Sequence, residues 1–172
     1  MKIILLGYMA SGKSFVGEKL SKLLKYEFID LDNYIEKKEK KTVKFIFEDK
    51  GELYFRKKEH FYLKELLNNE DKMVLSLGGG TPCYYNNINL INENENNTSI
   101  YLRVSINEII NRVSKEKSKR PLIAHIETEE LLREFIGKHL FERSNYYNKA
   151  DLVIDANGDA DSIVESLVLK LF

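Results

Sequence analysis

A chain of 172 residues with 43% hydrophobic content has the length of one domain and enough apolar material for a single core. Its 27 basic side chains equal its 27 acidic ones, so no net field selects a nucleic acid or an anionic membrane, and any anion chemistry has to be local. The one cysteine, Cys83, excludes an intrachain disulfide framework and a cysteine-rich zinc site and fits a reducing, cytoplasmic setting; no apolar run reaches membrane-spanning length. Short apolar runs at 2–6, 27–30, 73–77, 99–103 and 151–155 read as strands, each followed by a helical pattern. Helices are expected at 13–24, 31–39, 43–49, 52–68, 85–92, 106–115, 128–147 and 160–171, the rhythm of a parallel α/β sheet. The helix from 128 has the best start signal: Thr128 as N-cap, Glu129 and Glu130 in the first turn, and Leu131, Leu132, Phe135, Ile136 and Leu140 as a buried stripe. Two segments break the rhythm: 92–97, polar and Asn-rich, reads as a solvated turn, and 115–125, "KEKSKRPLIAH", reads as a basic loop or a lid.

The first strand runs into "GYMASGKS", residues 7–14, which fits G-x-x-x-x-G-K-[ST] with a strand before it and a helix after it. Such a loop lets consecutive backbone N–H groups curl around an anion while the helix N-terminus adds its positive end. Ala10, Ser11, Gly12, Lys13, Ser14 and Phe15 are therefore expected to bind ATP or GTP, with Lys13 reaching the β- and γ-phosphates and Ser14 holding Mg²⁺. A triphosphate site leaves two classes open, a hydrolysing switch or motor and a kinase.

Candidate acceptor residues lie further along. "FIDLDNYI" puts Asp30 and Asp32 where a strand gives way to a helix, so that one carboxylate can organise metal-bound water and the other accept from substrate hydroxyls; the plainer reading makes Asp32 a helix N-cap. The chain holds 21 lysines but six arginines, and a lysine-rich sequence has reason to use Arg where a planar fork must grip a carboxylate or phosphate. Arg56 has Glu59 three residues on to hold its guanidinium, Arg120 opens "RPLI", and Arg143 precedes two tyrosines; Arg103, Arg112 and Arg133 read as surface or helix-end charges. Three glycines, Gly78, Gly79 and Gly80, end the buried run "MVLSL", and their ordering cost suggests that something must lie against bare backbone there. The histidines, His60, His125 and His139, show no ligand spacing.

The ordered set "GYMASGKS", "DLD", "IFEDKGELYFRKKE", "LGGG", "RPLI" and "ERSNYYNKAD" resembles the shikimate kinases, small P-loop enzymes of aromatic amino-acid biosynthesis, over nearly the whole chain. The resemblance implies a three-layer α/β fold of the P-loop NTPase and nucleoside monophosphate kinase kind, with a five-stranded parallel sheet flanked by helices. It implies a single domain, 1–172, with a substrate-binding segment at about 31–68 and a lid at about 115–126. The implied reaction moves the γ-phosphoryl group of ATP to the 3-hydroxyl of shikimate, with Mg²⁺, in a cytoplasmic monomer whose partners are small molecules. By position, Lys13, Asp30 and Arg120 would be catalytic, Asp30 would join Ser14 at the metal, and Arg120 would close onto the phosphates. Asp32, Arg56, Gly78, Gly79, Gly80 and Arg143 would bind shikimate, the two arginines clamping its carboxylate. Phe47 and Phe55 match the wall around the ring, Asn157 lies where adenine is expected, and Phe15 stands where the family usually has Thr. The rivals are a gluconate or nucleoside monophosphate kinase and, from another class, a nucleotide-dependent regulatory module without catalysis.

Overall fold

Ile3, Ile4, Leu5 and Leu6 are all fully buried, and a strand apolar on both faces needs covering layers on both sides. The chain provides them. The computed structural model describes residues 1–69, 71–115 and 121–172 and has the element order β1 (Lys2–Leu6), α1 (Lys13–Leu24), β2 (Glu27–Asp30), α2 (Leu31–Glu39), α3 (Val43–Asn68), β3 (Met73–Ser76), a 3₁₀ turn (Thr81–Cys83), α4 (Asn87–Asn92), β4 (Asn97–Arg103), α5 (Ile106–Ser114), α6 (Pro121–Ala124), α7 (Glu129–Tyr147), β5 (Leu152–Asp155) and α8 (Ala160–Leu171). The five strands form one parallel sheet in the order β2-β3-β1-β4-β5. This is the expected α/β architecture, with all five strands and the main helices where the sequence places them.

The sheet order positions the site. β3 lies between β1 and β2, and Ser76 is level with both Leu5 and Asp30. The loop after β1, the carboxylate ending β2 and the glycines after β3 therefore emerge side by side at the carboxyl edge of the sheet, where open α/β sheets bind ligands. Lid expectations fall partly on 116–120, which lie outside the described residues.

Local differences have local causes. β4 begins at Asn97, not 99: Asn97 pairs in register with Lys2 and donates its side-chain amide to the Ile91 carbonyl at 2.9 Å, so the end of the Asn-rich turn is buried sheet. The expected break between two helices at residues 50–51 takes the form of a kink within α3, where Gly51 adopts φ 79° and ψ 172°, a conformation that suits a residue without Cβ. Thr128 caps α7 as expected, accepting from the Leu131 N–H at 3.2 Å. Leu131 itself is 53% exposed, whereas Leu132 and Ile136 are buried and Phe135 and Leu140 pack on the core, so the inward face of α7 is the expected stripe without its first residue. Asp30, rather than Asp32, is the N-cap of α2, its carboxylate accepting from the Asn33 N–H at 3.3 Å.

One polar cluster ties α2 to α3. The Glu39 carboxylate accepts from the hydroxyls of Tyr62 (2.6 Å) and Tyr54 (2.9 Å) and pairs with Lys58 at 2.9 Å. Burial works to raise its carboxyl, but the bonds from Tyr62, Lys58 and Tyr54 outweigh that and hold it at about 2 against an ordinary 4.5. A carboxylate depressed in the folded state stabilises the fold at neutral pH, and that contribution fades as pH falls from about 4.5 towards about 2. Glu39→Gln is expected to cost about 1–2 kcal/mol at pH 7. Urea midpoints of the two proteins should converge between pH 4.5 and the lowest pH at which the fold survives; a gap constant with pH would contradict the assignment.

Candidate active site

The loop from β1 to α1 needs turns that side chains resist, and Gly12 takes φ 86° and Ala10 φ 60° to make them. Lys13 folds back over this loop, donating to the carbonyls of Gly7 (3.0 Å) and Tyr8 (2.9 Å) and to Ser11 Oγ (3.3 Å). Ser14 Oγ donates to Asp30 Oδ2 at 2.9 Å, joining the loop to the end of β2. A cavity of about 790 Å³ opens over these groups, with Ala10, Gly12, Lys13, Ser14, Phe15, Asp30, Asp32, Gly78 and Gly79 in its wall. Asp30 and Asp32 thus share one cleft, although the strand ends at Asp30 and it is the first turn of α2 that swings Asp32 inward.

The glycine triplet closes the far side, and each glycine is approached by a polar group. A Cβ on Gly78 would stand 3.0 Å from Thr81 Oγ1, 3.2 Å from Asp32 Oδ1 and 3.3 Å from Glu59 Oε1. On Gly79 it would stand 3.2 Å from Arg143 Nη1, and on Gly80 it would drive into Arg56 Nη2 at 2.6 Å. Bare backbone is what allows both guanidinium groups to reach one short segment. Arg56 is buried and held from below: its Nη1 donates to Glu59 Oε2 at 2.8 Å, its Nε reaches Glu52 at 3.3 Å, and the Tyr84 ring lies 4.2 Å from its Cζ. Glu59, itself 0% exposed, also accepts from Thr81 Oγ1 at 2.6 Å. The pairing of Arg56 with Glu59 is the one the three-residue spacing predicts. Phe47 and Phe55 pack together beside it, ring centroids 4.7 Å apart.

Asp32 is where charge is least at ease. Burial raises its carboxyl, the neighbouring Asp30 and Glu59 charges add to this, and Lys13 and Arg56 only partly offset it, leaving it at about 6.

The family model described as shikimate kinase matches residues 9–172. The chain belongs to the shikimate kinase family. A shikimate kinase from Flavobacterium johnsoniae is 47% identical over 169 residues, 97% of this chain and 96% of that one. The crystal structure of a shikimate kinase from Bacteroides thetaiotaomicron superposes with a TM-score of 0.90 at 33% identity, covering 99% of this chain and 98% of that one. The shikimate kinase from Acinetobacter baumannii, solved in complex with shikimate, gives 0.85 at 30% identity, covering 99% and 92%. The chain is accordingly an ATP-dependent small-molecule kinase with shikimate kinase activity. Among the described residues, no helix is long and apolar enough to cross a membrane.

Not every expected residue is a described part of this cavity wall. Ser11 is fully buried and supports Lys13 from within the loop; Arg56, Arg143 and Gly80 adjoin the cavity through the glycine segment without forming its wall; Arg120 lies outside the described residues. Asn157 accepts from the Ser105 N–H at 2.9 Å and faces a separate groove. Arg112, read from sequence as a surface or helix-end charge, does stand in the last turn of α5 but is also bonded across to the phosphate loop. It is pinned by Glu108 at 2.7 Å and donates to the carbonyls of Ala10 (3.1 Å) and Ala156 (2.8 Å), in the cavity wall beside the phosphate loop. His139 was also missed: its Nδ1 lies 3.0 Å from the Tyr8 hydroxyl, so α7 braces the phosphate loop from behind.

The raised Asp32 carboxyl sets a pH limit, because kcat/KM reports groups of the free enzyme. With the anion as the form that accepts from a hydroxyl, kcat/KM for shikimate is expected to fall about tenfold per pH unit below about 6. The carboxyl ¹³C resonance of Asp32 should titrate near the same value, and a midpoint in the ordinary carboxylate range would count against this account.

Proposed function

We propose that the chain binds ATP on the loop 7–14 and shikimate across Gly78, Gly79 and Gly80, and transfers the γ-phosphoryl group to the 3-hydroxyl to give shikimate 3-phosphate and ADP. The observation that carries this division is the placing of Arg56 and Arg143 against adjacent glycines, next to a phosphate loop. Two planar forks converging on naked backbone suit a carboxylate carried by a small ring, with bidentate geometry that lysine does not offer.

Lys13 would exchange its bonds to the Gly7 and Tyr8 carbonyls for the β- and γ-phosphates. Ser14 and Asp30, a hydroxyl and a carboxylate bonded to each other on the cavity wall, are hard oxygen donors of the kind that would hold Mg²⁺. When bound, the ion would neutralise charge on the phosphates. Asp32 would accept the hydrogen bond of the attacking hydroxyl and take its proton as the new P–O bond forms. A loose transition state asks for alignment and charge neutralisation more than for a strong base, so a carboxyl near 6 is sufficient. Arg112, fixed between the carbonyls of Ala10 and Ala156, would frame the nucleotide on the side away from shikimate. Residues 31–68 would serve as the substrate-binding segment and 115–126 as a lid bringing Arg120 to the phosphates and excluding water. One chain supplies the described groups, which suits a monomer, and the single cysteine suits a reducing, cytoplasmic setting.

The acceptor is tested by following ADP release with shikimate, gluconate and several nucleoside monophosphates side by side; turnover on shikimate alone is expected, and preference for either rival, or ATP binding without any turnover, would overturn the reading. Lys13→Ala is expected to lower kcat by about 10²–10³-fold. Arg143→Lys and Arg56→Lys should each raise KM for shikimate by about 10–100-fold, the worth of a charged hydrogen bond, with KM for ATP little changed. Lysine is the informative replacement at 56, because Arg56→Ala would leave the buried Glu59 charge unpaired and damage folding as well. Wild-type KM in both lysine variants would remove the clamp.

A further inference from the structure

Helix α7 presents Arg143 and Tyr147 four residues apart, hence on one face, and both address the same glycine. Arg143 Nη1 approaches the α-carbon of Gly79, while the Tyr147 hydroxyl donates to the Gly79 carbonyl at 2.5 Å. Tyr147 is 0% exposed, and its ring packs on Tyr101 with centroids 5.0 Å apart, so the hydroxyl is delivered by a side chain with no freedom to wander. Burial raises the phenol well above its ordinary value, which keeps it a protonated donor at any working pH.

A trans peptide is planar, so fixing the carbonyl of Gly79 also fixes the N–H of Gly80, which points the opposite way. The neighbouring amides are occupied: Thr81 N–H donates to the Gly78 carbonyl at 3.1 Å and Cys83 N–H to the Gly80 carbonyl at 2.9 Å. The Gly79 and Gly80 amides make no such bond among the described residues. Glycine peptides rotate more readily than others, so a free amide between two glycines needs an external constraint to hold one direction.

We infer that Tyr147 is a positioning residue for the phosphoryl acceptor: by holding the Gly79–Gly80 peptide plane, it fixes the glycine backbone of the cavity wall against which the substrate lies. The inference rests on the proposed seating of shikimate against the glycine triplet. Arg143 supplies charge and Tyr147 supplies orientation, and one helix sets the two in register.

The chain has nine glycines, few enough to follow each backbone amide after ¹⁵N-glycine labelling. In the wild-type protein the Gly80 amide is expected to shift on saturation with shikimate; an unmoved signal would overturn the seating of the substrate and this inference with it. Tyr147→Phe removes the donor and keeps the ring. It is expected to raise KM for shikimate about five- to tenfold, to change kcat and KM for ATP less than twofold, and to broaden or displace the Gly80 signal before any substrate is added. A variant with lowered Tm but unchanged KM and an unchanged Gly80 signal, in a background where the wild-type amide responds, would overturn the role of Tyr147 while leaving the seating intact. Tyr147→4-aminophenylalanine restores a donor at the same place and covers the case in which the phenylalanine chain folds poorly. Its Gly80 signal and KM should return towards wild-type values, and no recovery in a folded protein would overturn the inference.

Discussion

The site is organised around a carboxylate with no access to water. Glu59 is 0% exposed, and a buried anion is tolerated only when its lone pairs are taken up. Each oxygen has a donor, Arg56 Nη1 on one and Thr81 Oγ1 on the other, at 2.8 and 2.6 Å, and each of those partners is thereby fixed. Arg56 is fixed so close to the chain that residue 80 has to lack a Cβ, and Thr81 is fixed as the first residue of the turn that follows the triplet. The constraint continues outward: the Asn87 side-chain amide donates to the Thr81 carbonyl at 2.8 Å, and His60 Nδ1 meets Asn87 Oδ1 at 2.6 Å. One buried charge thus sets the position of a guanidinium, the shape of a loop and the start of α4.

Around that centre the sheet does the coarse alignment and the helices the fine one. Strand order puts three loops next to one another, but neighbouring loops do not by themselves share a geometry. α7 supplies the common reference. His139, Arg143 and Tyr147 recur at four-residue spacing and reach the Tyr8 hydroxyl, the Gly79 α-carbon and the Gly79 carbonyl in turn. The phosphate loop and the glycine loop are therefore braced by the same rigid element, which suits a reaction whose rate depends on bringing two substrates into line.

What could be read from the sequence follows from how each interaction is encoded. The parallel sheet was legible because strands buried on both faces are written as unbroken apolar runs, and the phosphate loop because its backbone demands a rare residue pattern. Arg56 and Glu59 were legible because they are neighbours on one helix. Arg112 was not: its acceptors are the carbonyls of Ala10 and Ala156, 102 and 44 residues away, and a carbonyl belongs to every residue type. The same holds for Tyr147, whose partner is a backbone oxygen 68 residues distant. The exchange of capping roles between Asp30 and Asp32 has another origin. Both residue types at that spacing satisfy the rule for an N-cap, and the choice depends on where β2 releases the chain, which is a property of its pairing with β3. His139 carried a faint signal, since it lies four residues before Arg143 on the same helix, but spacing alone did not name its partner.

The unequal treatment of the carboxylates is itself informative. Glu59 and Glu39 are each held by donors on both oxygens, whereas Asp32, half-buried on the cavity wall, is raised by desolvation and by the like charges of Asp30 and Glu59. A structure built only for stability would place a donor there or make the residue apolar. A carboxylate in that setting gains from accepting a hydroxyl, because the bond helps stabilise its charge. The raised carboxyl of Asp32 and the rigidity of Arg56 are therefore two parts of one arrangement: the buried network around Glu59 holds the cleft in shape, and its charge is one of those that raise the Asp32 carboxyl on the cavity wall.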